Sequence, residues 1–136
     1  MSQQNVEIVR RVFDAFTAGD ADTLLALVDP EIVWDFSHVD TWLEENVYRG
    51  FEGIAEFFGE WIGEWDDYRF EVEDVIDAGD KAVAIVRDEG CGKRSGIKLD
   101  RRHAEVWTIR GGKVTRIEPY DDTREALASV GMERSA

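Results

Sequence analysis

The sequence predicts an α+β domain, with N-terminal helices packed on one face of a curved antiparallel sheet and a short helix at the C-terminus. Three observations lead there. Apolar residues in the first half recur at helical spacing, most clearly Ile54, Phe57, Phe58, Trp61, Ile62 and Trp65 at i, i+3, i+4, i+7, i+8 and i+11. After Asp67 the texture changes to β-rich runs separated by breaks at Gly79–Asp80, Gly90 to Gly96 and Gly111–Gly112. These breaks are too short for crossover helices, so consecutive strands must pair antiparallel. The long helical stripe needs an apolar surface to cover, and the inner face of that sheet is the only large one available.

Each element follows in chain order. Val6, Val9, Val12, Phe13 and Phe16 mark an amphipathic helix that Gly19 stops. Asp20 or Asp22 caps a shorter helix carrying Leu24, Leu25, Leu27 and Val28, which ends at Pro30. Ile32 to Phe36 is a short strand. Ser37 to Arg49 is irregular and is expected to be a loop or lid. The long stripe of Ile54 to Trp65 is the third helix. Strands are expected over Tyr68 to Ala78, Lys81 to Glu89, Ile97 to Arg110 and Lys113 to Tyr120, followed by a helix over Thr123 to Val130. The Gly111–Gly112 break suits a primed hairpin turn, which needs positive φ at both central positions.

Composition narrows the function classes. The 136 residues are 43% hydrophobic and 11% aromatic, which suits one domain, residues 1–136, that buries a core without staples. A lone cysteine, Cys91, allows no internal disulfide and no multi-cysteine metal cluster. A net charge of −14 would repel a phosphate backbone, so nucleic acid is not an expected partner. No run near Met1 has the pattern of a signal peptide, and none approaches a membrane span, so the expectation is a cytoplasmic protein with no membrane partner. The basic cluster Lys93, Arg94, Lys98, Arg101 and Arg102 is expected to be a solvated hairpin.

Four phrases carry a resemblance: FDAFTAGDADTLLALVDPEIVWDF at 13–36, YRGFEGIAEFF at 48–58, VIDAGDKAVAIV at 75–86 and VWTIRGGKVTRIEPYDD at 106–122. They resemble the nuclear transport factor 2-like superfamily and, within it, the SnoaL-like and ketosteroid isomerase-like proteins. The resemblance implies a cone-shaped fold, a homodimer through the sheet and an apolar pocket between sheet and helices. No cofactor is expected, and His38 and His103 are too few and too far apart in sequence to argue a metal site. Because this superfamily hosts isomerases, cyclases, dehydratases, epoxide hydrolases and non-catalytic modules, function has to be argued from residues.

Glu105 is the first of these. It shares a strand face with Trp107 and Ile109, which puts a carboxyl where core is expected. In the ketosteroid isomerases an acid at this place stays protonated and donates to a developing enolate; in SnoaL-type cyclases the place holds a histidine. The alternatives for Glu105 are the outer face, or an ion pair with Arg87. Pro119 stands where the cyclases and epoxide hydrolases need an Asp, and Val12 where the isomerases have a tyrosine donor. Asp35 matches the isomerase base with a one-residue gap. Arg87 and Glu89 resemble the Arg-x-acid pair of the epoxide hydrolases, beside the alternative of an ordinary cross-strand salt bridge.

The ring-bearing Trp34, Phe36, Trp42 and Trp107 are candidate walls for a small apolar or aromatic molecule, beside the alternative of a filled core. Trp61, Tyr48, Phe58 and Ile117 complete the candidate walls, and His38 is placed at the mouth. His103 is expected at the end of an exposed strand. The functional expectation is a pocket protein for such a molecule, with proton-transfer chemistry on Glu105 as acid or oxyanion donor. The alternative is a non-catalytic ligand-binding or dimeric accessory module.

Overall fold

The computed structural model of the chain describes residues 2–39 and 47–132, with all their side chains except those at 2, 3, 58 and 62. In chain order the elements are α1 (Ser2–Ala18), α2 (Ala21–Leu27), β1 (Val28–Asp35), β2 (Val47–Arg49), α3 (Gly50–Ile62), β3 (Trp65–Ala78), β4 (Lys81–Gly92), β5 (Lys98–Arg110), β6 (Lys113–Tyr120) and α4 (Thr123–Ser129). Six strands form one sheet in the order β2-β1-β6-β5-β4-β3. No helix among the described residues is long and apolar enough to cross a membrane.

The local signals act as their chemistry dictates. Gly19, at φ 69, stops α1. The Asp20 carboxylate accepts from the Thr23 backbone N–H at 3.2 Å and caps α2. Gly111 and Gly112 take φ 59 and 78, as the tight β5–β6 hairpin requires. The antiparallel meander β3-β4-β5-β6 has the expected pairing.

Three details differ from the sequence reading. First, α2 stops at Leu27 and Pro30 lies inside β1. The ladder from β1 to β6 skips there, between Val28 and Val33, where proline has no N–H to give. Second, β1 runs parallel to β6, and β2 pairs antiparallel with the other edge of β1. More than seventy residues separate β1 from β6, ample for a crossover that the short meander breaks cannot provide. Third, Trp65 opens β3 opposite Gly92 and does not end α3.

The helices also divide between the two faces. The main core lies inside, where Val9, Val12 and Phe13 of α1 and Phe57 and Trp61 of α3 meet Ala82, Ala84, Val86, Trp107 and Ile109 of the sheet. A second cluster lies outside: Val83, Ile85, Ala104 and Val106 are covered by Ala126 and Leu127 of α4. Helices therefore pack on both faces, because β4 is apolar at even and odd positions alike. Beyond α4 the outer face is charged, with Arg102 on Glu73 at 2.6 Å, Arg69 on Glu89 at 3.0 Å and Arg87 on Asp100 at 3.1 Å.

Candidate functional site

A cavity of about 500 Å³ opens between α1, α3 and the inner face of the sheet. Strand alternation aims Trp34 of β1, Phe36 just beyond its end and Trp107 of β5 into it, and helical spacing brings Phe13 and Phe16 of α1 and Phe57 and Trp61 of α3 to meet them. The rings support one another, with centroids 5.0 Å apart for Phe13 and Trp107, 4.8 Å for Trp34 and Phe57, and 4.7 Å for Phe36 and Phe57.

One wall is polar. Arg101, His103, Glu105 and Trp107 alternate down the inner face of β5, and Asp88 faces the same space from β4. Trp107 Nε1 donates to Glu105 Oε1 at 3.0 Å. His103 Nε2 stands 3.1 Å from Glu105 Oε2. On the other side of the imidazole, Nδ1 is 3.6 Å from Asp88 Oδ1, within ion-pair range but too long for a hydrogen bond. Asp88 also accepts from Arg101 Nε at 3.1 Å and from the Tyr68 hydroxyl at 3.0 Å. A continuous polar chain thus runs from Tyr68 through Asp88, His103 and Glu105 to Trp107.

Burial sets the electrostatics of this chain. For His103 burial alone would lower the pKa, but Asp88 and Glu105 outweigh it and raise the imidazole to about 9. Burial pushes Asp88 upward, yet His103 and Arg101 hold its carboxyl below the usual range. Tyr68 is raised well above an ordinary phenol, first by burial and then by the charge of Asp88. Because the folded pKa of His103 exceeds the unfolded one of 6.5, its contribution to stability is full below the unfolded value and is lost as pH rises through about 9. The wild type is therefore expected to lose on the order of 3 kcal/mol across that window, and His103→Gln to lose far less. Urea midpoints at stepped pH measure both slopes. Parallel slopes would remove His103 from this role.

The structure sorts the sequence candidates. Glu105, Trp34, Phe36, Trp61 and Trp107 line the cavity, and Pro119 lines it beside Glu105, its partner across the ladder. Tyr48 and Ile117, each 1% exposed, lie in the core and not on the cavity wall. The Tyr48 hydroxyl donates to Glu60 Oε2 at 2.8 Å. Trp42 and the side chain of Phe58 lie outside the described residues.

Arg87 and Glu89 must be moved. Strand parity turns both to the outer face of β4, where they pair 3.6 Å apart, with Arg87 also on Asp100 and Glu89 on Arg69. They pair along one strand and make cross-strand salt bridges with Asp100 and Arg69, and Arg87 is not the partner of Glu105. Asp35 also lies apart from the cavity. Burial pushes its pKa up, but the Ser37 N–H at 2.9 Å and the Arg116 guanidinium at 2.6 Å hold it below the ordinary value. His38 stacks on Tyr120 with ring centroids 4.3 Å apart and lies 3.3 Å from Glu118. Asp35, His38 and Glu118 bring possible metal donors within 4.8 Å of one another, yet Arg116 binds both acids and already supplies the positive charge.

Three residues of the polar wall were misplaced or missed by sequence reasoning. His103 is buried, at 6% exposure, where an exposed strand end was expected. Arg101, expected on a solvated hairpin, turns inward over Trp61, 5.0 Å from the ring centroid. Asp88, 1% exposed, was passed over between its charged neighbours. The signal for His103 and Arg101 was the same alternation that placed Glu105.

The SnoaL-like domain family model matches residues 9–117. The chain belongs to the SnoaL-like family. Among curated proteins, an uncharacterised protein of Mycobacterium tuberculosis is 29% identical over 118 residues, covering 85% of this chain and 87% of the relative. Among solved structures, this SnoaL-like domain is similar to an NTF2-like protein from Burkholderia xenovorans, with a TM-score of 0.75 and 26% identity over 96% of this chain and 97% of the other. It is equally similar to Bal32a, from a soil-derived mobile gene cassette, with a TM-score of 0.77 and 26% identity over 98% of each chain. The curved, unclosed six-stranded sheet with helices is the cone fold of the NTF2-like proteins.

Proposed function

We propose that the cavity binds a small apolar or aromatic molecule and that Glu105 moves a proton on it, in chemistry of the isomerase or lyase type. The observation that supports this is the Glu105 carboxyl group at the wall of a ring-lined cavity, fixed by N–H groups of Trp107 and His103. An acid in that position is oriented rather than merely neutralised. Since indole N–H can only donate, and protonated His103 does likewise, Glu105 is better placed as a proton acceptor than as the donor expected from the isomerase resemblance. His103, with Nε2 facing Glu105 and Nδ1 facing Asp88, lends nearby positive charge to the site but has no free N–H for a substrate oxygen.

The second reading is a module that holds its ligand without reaction. It is supported by Pro119 and Val12, which stand where relatives carry catalytic groups. The α-proton exchange of 2-tetralone in D2O, followed by NMR, separates the two. The enzyme reading expects wild type to exceed the buffer rate and Glu105→Gln to fall at least about tenfold, the size of a modest acid–base contribution. Binding of 2-tetralone with no acceleration would select the holding module.

A further inference from the structure

We infer that the cavity's ligand carries a carboxylate, seated at the mouth against Arg101, while its apolar body lies among the rings. This deepens the reading just given and rests on it. Exposure orders the charged lining: the side chains of Asp88, His103 and Glu105 are 1%, 8% and 11% exposed, that of Arg101 37%. Arg101 therefore stands at the entrance and the acids at depth.

Two further features fix the sign of the ligand. In a chain with 30 acids against 16 lysines and arginines, the inward charges are balanced, with Arg101 and His103 facing Asp88 and Glu105, while Arg69 is taken by Glu89 on the outer face. The acids are also engaged: Asp88 receives Arg101 and Tyr68, and Glu105 receives Trp107 and His103. A cationic ligand would have to compete with donors already in place. Arg101, in contrast, spends Nε on Asp88, and its Nη1 stands 4.0 Å from Asp121 Oδ1, beyond hydrogen-bond range. The Nη edge keeps N–H groups to give, in the planar fork that matches a carboxylate. Trp61 beneath and Asp88 behind hold that fork in one orientation, so little side-chain freedom is lost on binding.

Three probes of one shape test this by calorimetry: 2-naphthoate, 2-naphthamide and the 2-naphthylmethylammonium ion. Wild type is expected to bind the naphthoate at least about tenfold more tightly than the amide, with the ammonium weakest. Arg101→Gln should bring the acid-to-amide ratio close to one while changing amide affinity less than about twofold. If Arg101→Gln does not fold, the wild-type ratio in rising salt decides, since an ionic anchor weakens with screening. A wild-type ratio near one, or a ratio that Arg101→Gln or salt leaves intact, overturns the anchor and spares the cavity reading. Failure of all three probes to bind overturns both.

Discussion

Asp88→Asn is expected to cost about 3 kcal/mol or more at neutral pH, the usual consequence of removing one partner from a buried ion pair. Asn keeps the shape but withdraws the charge that His103 and Arg101 share, at a site where the side chain is 1% exposed. Because the Asp88 pKa is depressed in the folded state, its contribution is present above the unfolded value of 3.8 and fades as pH falls through the folded one. The variant and wild type should therefore converge in acid. Urea unfolding at neutral and acid pH measures the gap, and adding Arg101→Gln should cost less in the Asn background than alone. A loss under about 1 kcal/mol at neutral pH would place the polar wall in contact with water and deny it this role.

Trp107→Ala should lose about 3–5 kcal/mol, the range for emptying a large aromatic from a core. The indole is 1% exposed, packs on Phe13 at 5.0 Å and gives its N–H to Glu105. Two effects are combined in that loss, and Trp107→Phe separates them. Phe restores most of the packing but leaves Glu105 Oε1 without its donor, so it should recover most of the stability while failing to restore the orientation of the acid. Thermal and urea unfolding of the pair report the packing part. If Ala and Phe were equally destabilised, the hydrogen bond rather than the ring would be the main contribution.

How far the sequence could be read depended on whether a strand has one apolar face or two. In β5 the residues 105, 107 and 109 form a clean inward series, so Glu105 and Trp107 were legible together. His103 and Arg101 extend the same series, but their basic neighbours Arg102 and Lys98 suggested water. In β4, Val83 to Val86 are buried on both faces because α4 covers the outer one. Alternation there carries no sign of direction, so Arg87 and Glu89 were left open between a substrate-holding pair and an ordinary salt bridge, while Asp88, the residue that does face in, was overlooked. The β1–β6 parallel pair was illegible for a different reason: it joins segments far apart in the chain, and no local pattern encodes which distant edge a strand will meet.

The seat of α4 on the outer face leaves a consequence for anything that meets this sheet from outside. The apolar part of that face is already covered by Ala126 and Leu127, and what remains toward β3 is a lattice of opposite charges: Glu73, Arg102, Arg87, Asp100, Glu89 and Arg69. A partner docking there, a second copy included, exchanges ion pairs within one chain for ion pairs between two and buries little hydrocarbon in doing so. Such an association is governed by counterions and register rather than by exclusion of water, and it loosens as ionic strength rises.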